Sequence, residues 1–299
     1  MIRIGAHVSI AGGVQTAPDR AVELEASAMG IFTKNQRQWN AKPLASEDVV
    51  AFKDRLALSG IRQEHVVIHA SYLINIGNPD PAKRGKSLDA LLDECARAEQ
   101  LGLTLVNFHP GSGMGEISED ETLDLIAGGV VSVLEQTSSA VVVLEVTAGQ
   151  GAHVGYRFDQ IAEIIRRAGS PERLLACIDS CHIYAAGYDV RSEQAYTATM
   201  DEFARTVGFD RLAAIHLNDS MTALGSRRDR HERIGMGEIG LEGLANFVRD
   251  ERLANVPFVL ETTDPELWKD EIALLRAIAD GSADPATAVP PAAIGAKET

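Results

Sequence analysis

The sequence predicts an α/β fold in which eight parallel strands and their helices close into a single TIM barrel. Short apolar and β-branched runs alternate with longer amphipathic segments along nearly the whole 299-residue chain. Eight such units follow one another, and no strong change of composition separates them. Because such barrels commonly use about 250 residues, we expect one catalytic domain spanning residues 1–280.

The strands are predicted at eight apolar runs: Ile2–His7, Met29–Thr33, Val66–His69, Leu103–His109, Val141–Glu145, Leu174–Asp179, Leu212–Leu217 and Pro257–Glu261. Segments between them, such as Leu88–Leu101 and Phe158–Ala168, carry apolar residues three and four positions apart, as helices packed on a sheet require. The last segment, residues 281–299, has three prolines and no periodic apolar face, so it is predicted to be a disordered tail.

Composition limits the compartment and the class of function. No stretch approaches the roughly 18 apolar residues of a membrane span, and the N-terminus lacks a secretory signal, so we expect a cytoplasmic protein with no membrane partner. Three cysteines without a repeated pair argue against a disulfide framework and against a four-cysteine zinc site. A net charge of −15 alone favours a small-molecule enzyme over a nucleic-acid-binding protein, although bound cations can reverse the local sign.

Six potential metal ligands recur at the ends of the third to eighth predicted strands. They are separated by 40, 36, 34, 37 and 45 residues: His69, His109, Glu145, Asp179, His216 and Glu261. In a TIM barrel these strand ends meet at one mouth. Each residue alone could be an ordinary polar group, but a whole ring of bare carboxylates and imidazoles is electrostatically costly, and cations remove that cost. The spacing therefore predicts a metal site.

Three further residues extend this set. His182 follows Asp179 by three positions, and Asp229 and His231 form a D-x-H pair whose side chains can point to the same side of an extended backbone. Five histidines and four carboxylates are too many for one ion and enough for three. Imidazole-rich mixed sites suit Zn²⁺ best, with Mn²⁺ or Fe²⁺ as competitors.

The chain resembles the endonuclease IV family of metal-dependent apurinic/apyrimidinic endonucleases from Ile4 to about Leu275. The motifs that carry the resemblance are GAHVS (5–9), FTKNQRQW (32–39), HASYLINIG (69–77), NFHPGS (107–112), TAGQG (147–151), CIDSCH (177–182) and HLNDSMTALGSRRDRH (216–231). Two positions depart from the usual pattern, because Val146 stands for an asparagine and Ala70 for an aspartate. Neither is a ligand position, so the departures concern the groups that orient the ligands.

The resemblance implies a trinuclear zinc site and a repair activity on duplex DNA. His69 and His109 would bind one ion, and Glu145 would be the catalytic residue that bridges it to a second ion. The other ligands would be Asp179, His216 and Glu261 for the second ion, and His182, Asp229 and His231 for the third. The implied reaction is hydrolysis 5′ to an abasic site, which leaves a 3′ hydroxyl, together with trimming of blocked 3′ ends. The implied protein is a monomer at the nucleoid of a bacterium.

Loops around the same mouth are predicted to contact DNA. The segment Lys34–Pro43 holds Lys34, Arg37 and Lys42 with no acid, and Trp39 could fill a gap in the base stack. The resemblance singles out Arg37, Tyr72 and Leu73 as side chains inserted at the missing base. The predicted DNA-binding residues are Asn35, Arg37, Gln38, Tyr72, Leu73, Arg228 and Arg230.

Two other functions remain open at this stage. Related barrels with carboxylate and histidine ligands at the strand ends rearrange small sugars, so a metal-dependent isomerase or epimerase is the leading alternative. A protein that binds DNA lesions without cutting them is the second. Nine potential ligands argue against both, since an isomerase needs about four and a pure binding protein has little use for a cluster that activates water.

Overall fold

The computed structural model, which describes residues 2–291, contains the predicted barrel of eight parallel strands. All eight predicted strands are confirmed, and each observed strand lies within its predicted bounds. The barrel strands are β1 (Arg3–Ala6), β2 (Met29–Ile31), β3 (Val66–His69), β4 (Leu105–Phe108), β5 (Val141–Glu145), β6 (Leu174–Asp179), β7 (Leu212–His216) and β10 (Pro257–Leu260). A two-stranded hairpin, β8 (Asp219–Ser220) and β9 (His231–Glu232), lies between the last two barrel strands in the chain.

The barrel closes between β1 and β2. Every other neighbouring pair of strands forms a parallel ladder, and β1 pairs with β10. At the seam His7 and Gly30 form a parallel bridge, and the Val8 amide donates to the Gly30 carbonyl at 2.9 Å. Gly5 permits this approach, because a Cβ there would lie 1.8 Å from the Ala28 carbonyl oxygen.

Helices cover the outside of the barrel between successive strands. They are α1 (Ala17–Glu23), α2 (Ser46–Ser59), α3 (Pro81–Leu101), α4 (Glu119–Glu135), α5 (Phe158–Arg167), α6 (Ser180–Ala186), α7 (Glu193–Thr206), α8 (Gly240–Arg249) and α9 (Trp268–Ala279). Side-chain caps fix where the longest ones begin, as Asp80 does for α3 and Ser118, in a capping box with Glu121, does for α4. Within residues 2–291, no helix has the length and apolarity needed to cross a bilayer.

The interior of the barrel is built in layers, and the strand period of two places the polar residues. One layer is apolar: Val67, Leu105, Val143, Cys177, Ala214 and Val259. Two residues further along each strand, on the same face, comes a polar layer: His69, Asn107, Glu145, Asp179, His216 and Glu261. The packed layer thus supports the polar ring from below, at the end of the barrel where the strands terminate.

The predicted tail, residues 281–299, falls into two parts. Within the first, the Ala283 amide donates to the Ala277 carbonyl at 2.9 Å, and Ala283 and Ala288 pack against the core. These contacts continue past the predicted domain end at residue 280. Residues 292–299 lie outside the described residues, so the prediction of disorder stays a prediction there.

Candidate metal centre

All nine predicted ligands meet at the carboxyl-terminal mouth of the barrel. Three groups account for them, and within each group the potential ligand atoms lie within 4.8 Å of one another. The groups are His69, His109 and Glu145; Asp179, His216 and Glu261; and His182, Asp229 and His231. A fourth combination, Glu145 with Asp179 and His182, connects them, so the three groups form one continuous cluster.

Glu145 lies at the centre of this cluster and is fully buried. Its Oε2 atom lies 3.2 Å from Nε2 of His69 and 3.5 Å from Nε2 of His109. Its Oε1 atom lies 3.1 Å from Nδ1 of His216 and 3.2 Å from Nδ1 of His182. The two oxygens therefore face different groups, which is the geometry that a bridging carboxylate needs.

Backbone carbonyls orient three of the imidazoles. Nδ1 of His69 lies 2.8 Å from the Ala70 oxygen, Nδ1 of His182 lies 3.1 Å from the Val146 oxygen, and Nδ1 of His231 lies 3.1 Å from the Glu261 oxygen. Such a bond fixes the ring and leaves the other nitrogen free to bind a cation. At both positions that depart from the family pattern, the orienting group is thus main-chain oxygen, which does not depend on the side chain.

Three polar residues that sequence reasoning did not assign as ligands hold the carboxylates. The amide of Asn107 donates to Oε2 of Glu145, and that of Asn218 donates to Asp179 Oδ2 at 2.7 Å. Nδ1 of His7 lies 2.8 Å from Glu261 Oε1. The ligand predicted at this strand end was His109, and no role was predicted for Asn107. The signal was present, since Asn107 is two residues after the inward-facing Leu105.

The third group depends on the β8–β9 hairpin. The pairing of Ser220 with His231 brings the D-x-H segment back to the barrel. Asp219 fixes the ends of this connection, because its carboxylate accepts backbone N–H bonds from Ser220, Gly237, Ile239 and Gly240 at 2.8–3.3 Å. No role was predicted for Asp219, and its place within the motif 216–231 is the only sign of it in the sequence.

The side chains of this cluster strongly shift one another's pKa values. Burial would raise the pKa of Glu145, but the surrounding imidazoles, His216 foremost, outweigh burial and hold that pKa well below its ordinary value. Burial opposes protonation of His216, yet the carboxylates of Glu261 and Glu145 raise its pKa to about 10. Each charge is thus stabilised only by its opposite neighbours, as expected where cations bind.

The donor set fits divalent cations. Nε2 of His182 and Nε2 of His231 are buried and find no hydrogen-bond partner among residues 2–291. Both nitrogens nevertheless lie 3.2–3.5 Å from carboxylate oxygens, those of Asp229 and Asp179. Lone pairs that converge without hydrogen bonding are what a metal ion would satisfy, and mixed imidazole and carboxylate donors suit Zn²⁺ and its neighbours in the transition series.

The predicted DNA-binding residues lie around this mouth, and most are exposed. Tyr72 is 57% exposed, and its ring centroid lies 5.1 Å from that of His69. Leu73 beside it is half-buried. The side chains that lie in exposed loops are Asn35, Arg37, Gln38, Arg228 and Arg230.

The prediction that Lys34 contacts phosphate is wrong. Its side chain is buried, and its Nζ atom lies 2.6 Å from Asp93 Oδ2 and 3.5 Å from Glu94 Oε1. The segment Lys34–Pro43 contains no acidic residue, but helix α3 supplies Asp93 and Glu94. Trp39 is half-buried against the core with Lys86 Nζ 4.3 Å from its ring centroid, so its ring is already in contact with protein.

Comparison with known proteins first defines the class. The model of the family described as "Xylose isomerase-like TIM barrel" matches residues 18–278. A D-psicose 3-epimerase from Clostridium cellulolyticum has the same fold, with a TM-score of 0.66, 12% identity, and coverage of 94% of this chain and 99% of that one. At that identity the likeness concerns the fold alone. The chain is therefore a TIM barrel of the xylose isomerase-like class with a candidate metal centre at its mouth.

Closer relatives define the family. A probable endonuclease 4 from Campylobacter concisus is 49% identical over 273 residues, which cover 91% of this chain and 96% of the relative. The crystal structure of endonuclease IV from Thermus thermophilus matches with a TM-score of 0.82 and 36% identity, covering 93% of this chain and 99% of that one. The chain belongs to the endonuclease IV family, as the motifs predicted.

Proposed function

We propose that this protein is a zinc-dependent apurinic/apyrimidinic endonuclease of base excision repair. It hydrolyses the phosphodiester 5′ to an abasic site in duplex DNA, leaves a 3′ hydroxyl, and trims blocked 3′ ends. The observation that carries the proposal is the convergence of nine ligand-type side chains on one mouth in a chain of the endonuclease IV family.

We assign three zinc ions to the three groups of side chains. His69 and His109 would hold the first ion, and Glu145 would contribute to both the first and the second. Asp179, His216 and Glu261 would be the other ligands of the second ion, and His182, Asp229 and His231 those of the third. The support is that the two Glu145 oxygens face different groups and that mixed imidazole and carboxylate donors suit Zn²⁺. Mn²⁺ or Fe²⁺ could replace zinc at some of the positions.

The bound ions supply Lewis acidity, which lowers the pKa of a water molecule and neutralises charge on a phosphate. The reaction adds water across a P–O bond, and the 3′ oxygen departs as a hydroxyl. The chain's own residues position the ligands: Asn107 and Asn218 hold the carboxylates of Glu145 and Asp179, so that these oxygens are preorganised. No protein side chain is needed as the nucleophile.

Recognition of the abasic nucleotide falls to side chains of the loops around the centre. To Tyr72, next to His69, and to Leu73 and Arg37 we assign the space that a missing base leaves. An abasic nucleotide is cheap to extrude, because it has no base to unstack, so these side chains can select it without reading sequence. Arg228 and Arg230 offer cations for the phosphates, against the net charge of −15.

A duplex that carries one tetrahydrofuran abasic analogue tests the proposal. We expect a single nick 5′ to the analogue with an end that a polymerase extends, no cut in the matched undamaged duplex, and loss of nicking after prolonged chelation. Binding of the damaged duplex without any nick would instead support a lesion-binding protein.

Metal content distinguishes the proposed nuclease from the alternative, a sugar isomerase. Three zinc ions per chain favour the nuclease, whereas one or two ions with turnover of a ketose would favour the isomerase.

We propose that the protein acts on duplex DNA as a monomer, in the cytoplasm and at the nucleoid of a bacterium.

A further inference from the structure

A buried cluster of charged residues lies beneath the proposed DNA-binding loops, away from the metal centre. It joins the start of the loop Lys34–Pro43, here called the recognition loop, to helix α3. The side chains of Lys34 and Glu94 are only 2% and 1% exposed. Burying charge is costly unless every group is paired, and the charged groups of this cluster are paired with one another.

Glu94 is the centre of the cluster. Its Oε2 atom accepts a hydrogen bond from Thr33 Oγ1 at 2.5 Å, and its Oε1 atom lies 3.5 Å from Nζ of Lys34. The buried carboxylate of Glu94 therefore holds the start of the recognition loop against α3. Ser71 opens the segment Ser71–Leu73, here called the wedge loop, which carries Tyr72.

Two further bonds complete the connection. Oγ of Ser71 donates to the Gln36 carbonyl at 2.7 Å, which joins the wedge loop to the recognition loop directly. At the far end of the recognition loop, Nη2 of Arg97 donates to the Lys42 carbonyl at 2.7 Å, while Nε of Arg97 donates to Asp93 at 2.9 Å. Asp93 in turn pairs with Lys34. The recognition loop is thus held at both ends by α3.

We infer that Glu94 and Ser71 are positioning residues: Glu94 fixes the start of the recognition loop, and Ser71 joins that loop to the wedge loop, so that Arg37, Tyr72 and Leu73 meet an abasic nucleotide as one preformed surface. This inference rests on the proposed function for its ligand, duplex DNA with an abasic site. Arg37 lies on the recognition loop and Tyr72 and Leu73 lie on the wedge loop, and the bond from Ser71 to the Gln36 carbonyl joins the two loops. Preorganisation by Glu94 removes the entropic cost of ordering them when DNA binds.

The variant Glu94→Gln tests the inference, with Asp89→Asn as the matched control. Asp89 lies on the same helix, is exposed, and loses the same charge. In Glu94→Gln we expect KM for the tetrahydrofuran duplex to rise roughly tenfold to a hundredfold, because three side chains must then be ordered on binding. We expect kcat and zinc content to stay at the wild-type level, and hydrogen exchange of the free protein to quicken in both loops together.

Ser71→Ala is the milder second variant, since it removes the bond to Gln36 without removing a charge. A smaller rise in KM with faster exchange in both loops supports the coupling, also where Glu94→Gln does not fold. Unchanged KM and unchanged exchange in either folded variant overturn it, as does a joint fall of kcat and zinc content. If the wild-type protein fails to nick the duplex, the proposed function fails, whereas the exchange experiment still decides whether the loops are coupled.

Discussion

Replacing Glu145 by glutamine should keep an oxygen at one of its two ligand positions and remove it from the other. The amide of Asn107 donates to Oε2, so the glutamine carbonyl will occupy that position and keep facing His69 and His109. The glutamine NH₂ group will then occupy the Oε1 position, 3.1 Å from Nδ1 of His216, where it cannot bind a cation. The centre loses one bridging ligand, and the lost electrostatic stabilisation slows nicking by about 10³-fold, or about 4 kcal/mol.

The assay is the initial rate on the tetrahydrofuran duplex together with zinc analysis of the same preparation. We expect zinc to fall from three towards two per chain, with the ion of the Asp179, His216 and Glu261 group lost first. Glu163→Gln is the control, because it makes the same change on the outer surface of α5, where Glu163 pairs with Arg166 and Arg167. Nicking at the control rate in Glu145→Gln would refute the reasoning.

Four other perturbations have defined outcomes. Tyr72→Ala removes an exposed ring, so the free energy of unfolding should change by less than about 1 kcal/mol while kcat/KM falls roughly tenfold to a hundredfold; urea titration and kinetics measure both. Asp219→Asn leaves a backbone N–H unpaired, so the free energy of unfolding should fall by about 1–3 kcal/mol. Zinc analysis of the same variant should show loss of the ion held by the hairpin. Val146→Asn should keep three zinc ions, because the main chain orients His182, yet lower stability by about 1–3 kcal/mol in denaturant titration through burial of an amide. Prolonged chelation should lower Tm, since ions bound at 100 times their Kd stabilise the fold by about 2.7 kcal/mol each, and an unchanged Tm in calorimetry would contradict a bound cluster.

The barrel and the polar ring could be predicted because both follow from periodicity. Each strand is a short buried run, and the ring repeats once per β/α unit, so its members fall into register when the sheet closes. The order of the strands could be predicted as well, since units that are neighbours in the sequence pair with each other around a barrel. The family motifs then supplied the grouping of ligands, which spacing alone left open.

Interactions between distant segments could not be predicted. Lys34 lies in a window without acids, yet Asp93 and Glu94 reach it from a helix about sixty residues away in the sequence. The fit of Asp219 to backbone amides at positions 237–240 likewise needs the loop conformation, which composition does not encode. Local patterns specify strands and ligands, whereas these contacts depend on how loops return to the barrel.

In the proposed mechanism, side chains from successive barrel units hold three cations close enough together to act on one phosphodiester. Anomalous diffraction at the zinc absorption edge, from crystals of protein purified without added metal, tests it most directly. We predict three peaks around Glu145, one in each group of side chains. A single peak, or peaks that lie away from Glu145, would contradict the account.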